Sequence, residues 1–449
     1  MQKYVLRETM LELLIRIEKD KGFSHLLIDR AMKDTDFSLA DRSLLTEVVY
    51  GTIQRKLTLN YYLNYYIDHN KKVTPWVRTL LQMSLYQMIY LDRVPTYAII
   101  HEAVEIAKKR GHKGIASFVN GVLREIQRQG VPDTDLIEGD VKRLSIKTSH
   151  PEWLIKHWIH HYGLEQTKKM CEANLVHQPI SVRVQPLLIS RDEAMRTLRE
   201  EGYIVKPSLF SPQGILILEG NILKSTLFKK NQVTIQDQSS MLVGEMMNVE
   251  PGMTVLDTCS APGGKVTHIA EKMANKGKIY AHDLHAKKIQ MINKKASNLQ
   301  LNVIQATKHD ARSLRQRYED STFDRILVDA PCSGLGVIRN KPEIKYHKNL
   351  SDIRRLSDIQ LAILTEVAPL LKKNGLLVYS TCTVEPTENE DVVKRFLEKH
   401  DMYKVDQLFF NQLPDQLRHS PGISPYGLQL FPQTYNTDGF FLTRLIKYK

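Results

Sequence analysis

Residues 253–265 read Met-Thr-Val-Leu-Asp-Thr-Cys-Ser-Ala-Pro-Gly-Gly-Lys: an apolar run closing on Asp257, then a turn with two glycines, then a helical stretch from Val266. The rhythm repeats downstream. Lys278 to Asp283, Val303 to Ala306, Arg325 to Asp329 and Leu376 to Ser380 are short apolar runs, each parted from the next by a helix or loop. Such alternation predicts a parallel, doubly wound α/β sheet whose ligands bind outside the carboxyl ends of the strands. The distinctive residues of the chain fall at those ends.

In the first turn, Gly263 and Gly264 let the backbone approach a ligand closely, and the helix amino end offers unpaired N–H groups. The turn is neither a Walker A loop nor G-x-G-x-x-G, which disfavours a nucleoside triphosphate or a nicotinamide cofactor. The second run ends in Asp283, where doubly wound folds place an acid for ribose hydroxyls. The third is followed by His309-Asp310, placed to edge an adenine. Taken singly, a glycine pair or an aspartate is more often turn chemistry. Together they indicate an adenosine-containing ligand without a polyphosphate grip, which points towards S-adenosylmethionine.

The fourth run ends Asp329-Ala330-Pro331-Cys332-Ser333-Gly334 and the fifth Ser380-Thr381-Cys382-Thr383. A lone cysteine beside a strand is usually a small buried hydrophobe. Two at adjacent strand ends, next to an adenosine site, suit methylation at a pyrimidine's carbon 5. That carbon is inert until a thiolate adds to carbon 6 and makes carbon 5 carbanion-like. An acid must then steady the adduct and a base must take the carbon 5 proton.

The rest of the chain reads as two further parts. Up to about residue 130, apolar residues recur at helical steps (Met10, Leu13, Leu14, Ile17; Leu80, Leu81, Leu85, Met88), with Asp41 as a cap and Thr74-Pro75 opening another helix. Gly130-Val131-Pro132-Asp133 marks a boundary. The expected division is 1–130 helical, 131–149 linker, 150–235 a small α+β module and 236–449 the α/β domain. Within the module, Pro151 to His161 and Ser190 to Glu200 read as helices and Ile180 to Val184 and Ile215 to Leu218 as strands.

Composition narrows the function classes. With 449 residues, 42% hydrophobic and 25% charged, the chain is globular, and no apolar run approaches the roughly 20 residues of a membrane span. The start, Met1 to Glu8, holds no apolar core for a secretory signal. Four cysteines, at 171, 259, 332 and 382, lie too far apart for C-x-x-C metal spacings or a disulfide framework. A cytoplasmic protein with reduced thiols and no metal is expected. Lysine and arginine number 63 against 50 acids, a net +13, which favours a nucleic acid partner over the alternative of a basic surface without a purpose. Residues 1–130 hold 20 of those cations against 14 acids.

The motifs carry a resemblance. Asp257 to Lys265, Asp329 to Gly334 and Thr381-Cys382 resemble the RNA 5-methylcytosine methyltransferases of the Nol1/Nop2/Sun type. Asp41-Arg42-Ser43-Leu44, Val49-Tyr50-Gly51-Thr52, Tyr90 to Pro95 and Phe118 to Arg124 are similar to the all-α NusB-type RNA-binding domain. The combination resembles the bacterial Sun family of small-subunit ribosomal RNA methyltransferases over essentially the whole chain, down to Asp438-Gly439-Phe440-Phe441 as a last strand. It implies a NusB-like domain, an RNA-binding α+β module and a Rossmann-like methyltransferase domain, with 16S ribosomal RNA as partner and a monomer favoured. It also implies roles: Cys382 the nucleophile, Cys332 the thiol of adduct breakdown, Asp329 at the cytosine's polar edge, and Lys265 lining the site. Cys259, Ser260, Ala261, Pro262, Gly263, Gly264, Lys265, Asp283, Asp310 and Asp329 would hold S-adenosylmethionine. The sequence departs from the family pattern at Ser260, where alanine is usual, and at Gln185, where asparagine is commoner. The same chemistry on transfer RNA or large-subunit RNA, and an RNA-binding factor without catalysis, are the competing readings.

Overall fold

Apolar faces at helical spacing have to be covered, and in the computed structural model helix packs on helix throughout the first part of the chain. The structure describes residues 4–20, 24–68 and 70–449; the first three residues, part of the stretch searched for a leader, lie outside these. The chain divides into two compact units, residues 1–176 with 338–347, and residues 177–337 with 348–449.

Among the described residues the first unit holds nine helices from Val5–Asp20 to Glu152–Ala173 and the short helix Ile344–His347. Met10, Leu14, Leu45, Val49, Leu81 and Leu85 lie at its centre, all 5% exposed or less. Helix Pro75–Tyr90 is buried nearly all round, and Thr74 with Pro75 does open it. Asp41, expected as a cap, is instead the third residue of helix Leu39–Gln54. Ser38 takes the cap position, its hydroxyl accepting from the Asp41 N–H at 3.1 Å.

The expected linker 131–149 carries a 3₁₀ turn, Thr134–Leu136, and a helix, Asp140–Thr148, that buries Leu144, Ser145 and Thr148. The next helical stretch, Glu152–Ala173, is broken at Gly163 (φ 76°, ψ 166°), two residues past the end expected at His161, and clusters with this unit, with Trp158 buried. Residues 338–347, assigned from sequence to the α/β domain, also belong here. Lys345 Nζ donates to Gln54 O at 2.9 Å, Tyr346 to Ser149 O at 3.0 Å, and Glu343 accepts from Ser24 N and Oγ at 3.0 and 2.9 Å.

The second unit holds two sheets. Strands β1 (Ile180–Val184), β2 (Ile204–Pro207), β3 (Gly214–Glu219) and β4 (Val233–Ile235) pair in the order β2-β3-β1-β4, all antiparallel. With helices Arg191–Glu200 and Thr226–Lys229 they form a βαββαβ module around Val182, Val184, Leu198, Ile215 and Ile217. The larger sheet comprises β5 (Thr254–Asp257), β6 (Lys278–Asp283), β7 (Ile304–Lys308), β8 (Phe323–Asp329), β9 (Leu371–Thr381), β10 (Tyr403–Val405), β11 (Ile423–Ser424), β12 (Gly427–Leu430) and β13 (Phe440–Lys447).

Its order is β11-β12-β13-β9-β8-β5-β6-β7, with β10 on β13. The five strands expected from sequence are the parallel ones. The remainder is antiparallel, β13 pairing with β9, so the sheet is mixed. Strand order reverses at β5 and β8, and the crevice outside their carboxyl ends is where such folds take ligands.

Candidate active site

Register decides which residues meet at that rim. Asp257 pairs with Leu327 and Asp329 with Ser380, so the loops leaving β8 and β9 start level and carry Cys332 and Cys382 forward together. Their sulfurs lie 3.4 Å apart. Ser333 Oγ and Thr383 Oγ1, one residue beyond each, are 2.8 Å apart. Gly336 closes the arrangement: its N–H donates to Cys382 O at 3.1 Å, and a Cβ there would stand 1.8 Å from Gly439 O. No other residue fits.

Asp329 is held from two sides, accepting from Lys265 Nζ at 2.8 Å and from Ser380 Oγ at 2.8 Å. Burial alone would lower the Lys265 pKa, but Asp329, with Cys382 and Asp257 behind it, outweighs burial and raises it. Lys265 therefore stays an ammonium, 5.3 Å from the centre of the Phe440 ring. The two thiols are not equivalent. The hydrogen bond to Cys382, burial, and the charges of Cys382 and Glu388 together push Cys332 well above the ordinary thiol range. Cys332 keeps its proton.

The glycine turn follows β5. Gly263 sits at φ 99°, in the left-handed region, and begins helix Gly264–Lys272. Ser260 N donates to His282 O at 2.8 Å and Gly263 N to Ser260 O at 2.8 Å, which fixes the turn against β6. The Cys259 thiol is pushed up to about 12 by burial, so what it offers the turn is backbone. Beneath, Asp257 is fully buried and neither carboxylate oxygen makes a hydrogen bond within the described residues. Burial first, and Asp329 second, push its pKa up to about 7.

Asp283 closes β6, nearly buried, with Lys288 Nζ at 3.3 Å from its carboxylate. Asp310 stands apart. Its carboxylate is one-third exposed, caps the turn after β7 and takes two bonds from Arg312, at 3.0 and 2.7 Å.

Sequence reasoning missed several residues. Arg183 of β1, 0% exposed at its side chain, pairs through both ends of its guanidinium with Glu271 (2.7 and 2.8 Å) and donates to Gly264 O at 2.7 Å. The module thus braces the glycine turn. Gln185, two residues on, is interior and reaches Leu299 O at 3.4 Å, so it offers nothing outward. Glu388 and Asn389, in a polar run that opens a helix, carried no signal beyond their spacing of six and seven residues from Cys382. Among the described residues no group of three or more His, Cys, Asp or Glu side chains could hold a metal, and no helix is long and apolar enough to cross a membrane.

A Rossmann-like sheet with a glycine turn and two thiols at its switch point defines a methyltransferase class, and known proteins make it specific. The 16S rRNA methyltransferase RsmB/F family model matches residues 245–446, the NusB family model residues 5–128, and an RsmF/B-like ferredoxin-like domain residues 150–222. The probable ribosomal RNA small subunit methyltransferase B of Bacillus subtilis is 47% identical over 447 residues, the full length of both chains. Its counterpart from Synechocystis is 32% identical, over 98% of this chain and 99% of that one. The chain belongs to the ribosomal RNA small subunit methyltransferase B family. Among solved structures, PH0851 superposes with a TM-score of 0.82 at 25% identity, covering 98% of each chain. A methyltransferase homolog protein from Pyrococcus horikoshii gives 0.59 at 26% identity, over 69% of this chain and all of that one.

Proposed function

We propose that this protein methylates carbon 5 of a cytosine in 16S ribosomal RNA, using S-adenosylmethionine, through a covalent bond between Cys382 and carbon 6. The observation that carries the proposal is the pair of thiols, 3.4 Å apart, on the rim that also holds the Lys265–Asp329 ion pair. Family membership supports the substrate class.

The residues present fit the methyl donor. The left-handed Gly263 leaves the turn without a side chain, the orphaned Asp257 carboxylate lacks a donor that a cationic group would supply, and Asp283 stands at the next strand end. When bound, S-adenosylmethionine supplies a methyl group on a sulfonium, open to attack by a carbon nucleophile. Asp257 to Lys265, Asp283, Asp329 and the partly exposed Asp310 would hold it.

Cys382 adds to carbon 6 as a thiolate, and the ring's electron pair moves to carbon 5. Asp329, fixed by Lys265 and Ser380, accepts from the base's polar edge, and the Lys265 ammonium offsets charge gathering there. Once carbon 5 carries the methyl group, its proton passes to a base or to water, the carbon–hydrogen electron pair becomes the carbon 5–carbon 6 double bond, and the carbon 6–sulfur pair leaves on Cys382, regenerating the thiolate. Cys332, in contact with Cys382, serves that last stage. Bisulfite mapping of ribosomal RNA from cells with and without the gene tests the proposal. One cytosine of 16S RNA should lose protection in the deletion strain. Loss only in transfer RNA or 23S RNA would overturn the substrate, and no loss anywhere the chemistry.

A further inference from the structure

Glu388 and Asn389, at the entry to helix Glu390–Lys399, take no part in the reaction drawn above, yet between them they clasp both cysteine loops. Glu388 Oε1 accepts from the N–H of Ser333, just after Cys332, at 2.8 Å. It also accepts from Gln360 Nε2 at 2.9 Å, and the same amide donates to the carbonyl of Pro331, just before Cys332, at 3.0 Å. Asn389 does likewise for the other thiol, accepting from Thr381 Oγ1 at 2.5 Å and donating to Thr383 O at 3.1 Å. Glu388 is 0% exposed, and its second oxygen has no hydrogen-bond partner within the described residues. No lysine or arginine pairs with it there. The groups whose charge it meets are Cys332, the Tyr379 hydroxyl of β9 and Glu385 on its own segment.

A buried carboxylate without a cation opposes any second anion nearby. We propose that Glu388 is a positioning residue that keeps Cys332 the protonated member of the thiol pair, so that Cys382 is the sulfur that ionises. The assignment of what Cys382 then attacks rests on the function proposed above; the division between the thiols does not need RNA. Burial pushes the Glu388 carboxyl up to about 7, with Ser333 and Gln360 pulling the other way. Its charge therefore builds as pH rises through neutrality, and the discrimination between the thiols should sharpen with it.

The test is brief alkylation of the full-length protein with limiting iodoacetamide from about pH 6 to 8.5, reading the ratio of modified Cys382 to modified Cys332 by peptide mass spectrometry. Both thiols are partly exposed. A separation of one pKa unit makes the ratio roughly tenfold, and it should climb with pH. Glu388→Gln keeps an oxygen for Ser333 and Gln360 but no charge, so the ratio should fall several-fold and become flat; Glu388→Asp should retain the climb. A wild-type ratio that does not change with pH overturns the proposal, as does a Glu388→Gln protein with native circular dichroism and the wild-type profile. Failure of the methylation reading shows elsewhere, in RNA adducts of the cysteine variants, and leaves this ratio untouched.

Discussion

Arg183→Met removes one half of an ion pair sealed from water, with side-chain exposures of 0% for Arg183 and 1% for Glu271. It also takes a donor from Gly264 O, from Thr267 Oγ1 at 3.0 Å and from Gln236. Glu271 keeps only Gln213 Nε2, at 3.0 Å, and becomes a buried charge without a counterion. Breaking such a pair from one side costs about 3–5 kcal/mol. At about 1.4 kcal/mol per power of ten, opening of helix Gly264–Lys272 should become roughly a hundred to a few thousand times more frequent. Tryptophan fluorescence will not see it, because Trp76, Trp153 and Trp158 all lie in the helical unit. Hydrogen exchange on peptides covering residues 180–184 and 264–272 will. Replacing both partners, Arg183→Met with Glu271→Leu, removes the stranded charge and should restore most of the protection. Unchanged exchange in the single variant, or a double variant as exposed as the single, would refute the bracing role. Methyl-donor affinity should follow the same order, wild type above double above single.

The remaining expectations concern the site itself. Cys382→Ala should form no covalent RNA complex, whereas Cys332→Ala should accumulate one on a denaturing gel; the opposite pattern reverses the roles. Asp283→Ala should weaken S-adenosylmethionine binding by on the order of 1–3 kcal/mol in titration calorimetry, and unchanged affinity makes Asp283 a structural residue. Asp257 has a folded pKa of about 7, above the ordinary carboxylate value near 4, so the folded chain holds a proton that the unfolded chain has lost between those limits. Stability from this group falls as pH rises through that window. Asp257→Asn should therefore melt higher than wild type at pH 8 by a clearly larger margin than at pH 5, and an equal margin at both would refute the shift. RNA affinity should drop steeply with salt, by a slope of roughly −0.7 to −0.9 per neutralised phosphate, and a flat salt series would rule out the net +13 as a binding surface.

The sequence by itself determined the elements whose signals are local. Four of the five parallel strands of the larger sheet centre on buried apolar runs ending in small or acidic residues, whereas β7, at the sheet edge, is only partly buried and ends in Lys308. The glycine turn, Asp329 and both cysteines stand at those ends, so the site could be collected from the same runs. Helical spacing marked the first unit equally well. Local signals failed where two choices were locally equal. Ser38 and Asp41 are both good caps, and only the structure shows that Ser38 takes the position.

Tertiary structure alone decided which segments share a core. An amphipathic helix announces that it buries a face, not what covers it: Glu152–Ala173, at the head of the module expected from residue 150, and residues 338–347 cluster with the helical unit. It also decided the partners of charges far apart in the chain. Arg183 and Glu271 are 88 residues apart, and Glu388 reaches Ser333 across 55. A buried charge is tolerated only where folding delivers its partner, and no spacing along the sequence records that delivery. The raised thiol of Cys332 is of the same kind: the groups that raise it, Cys382 first and Glu388 among them, come from 50 residues or more along the chain.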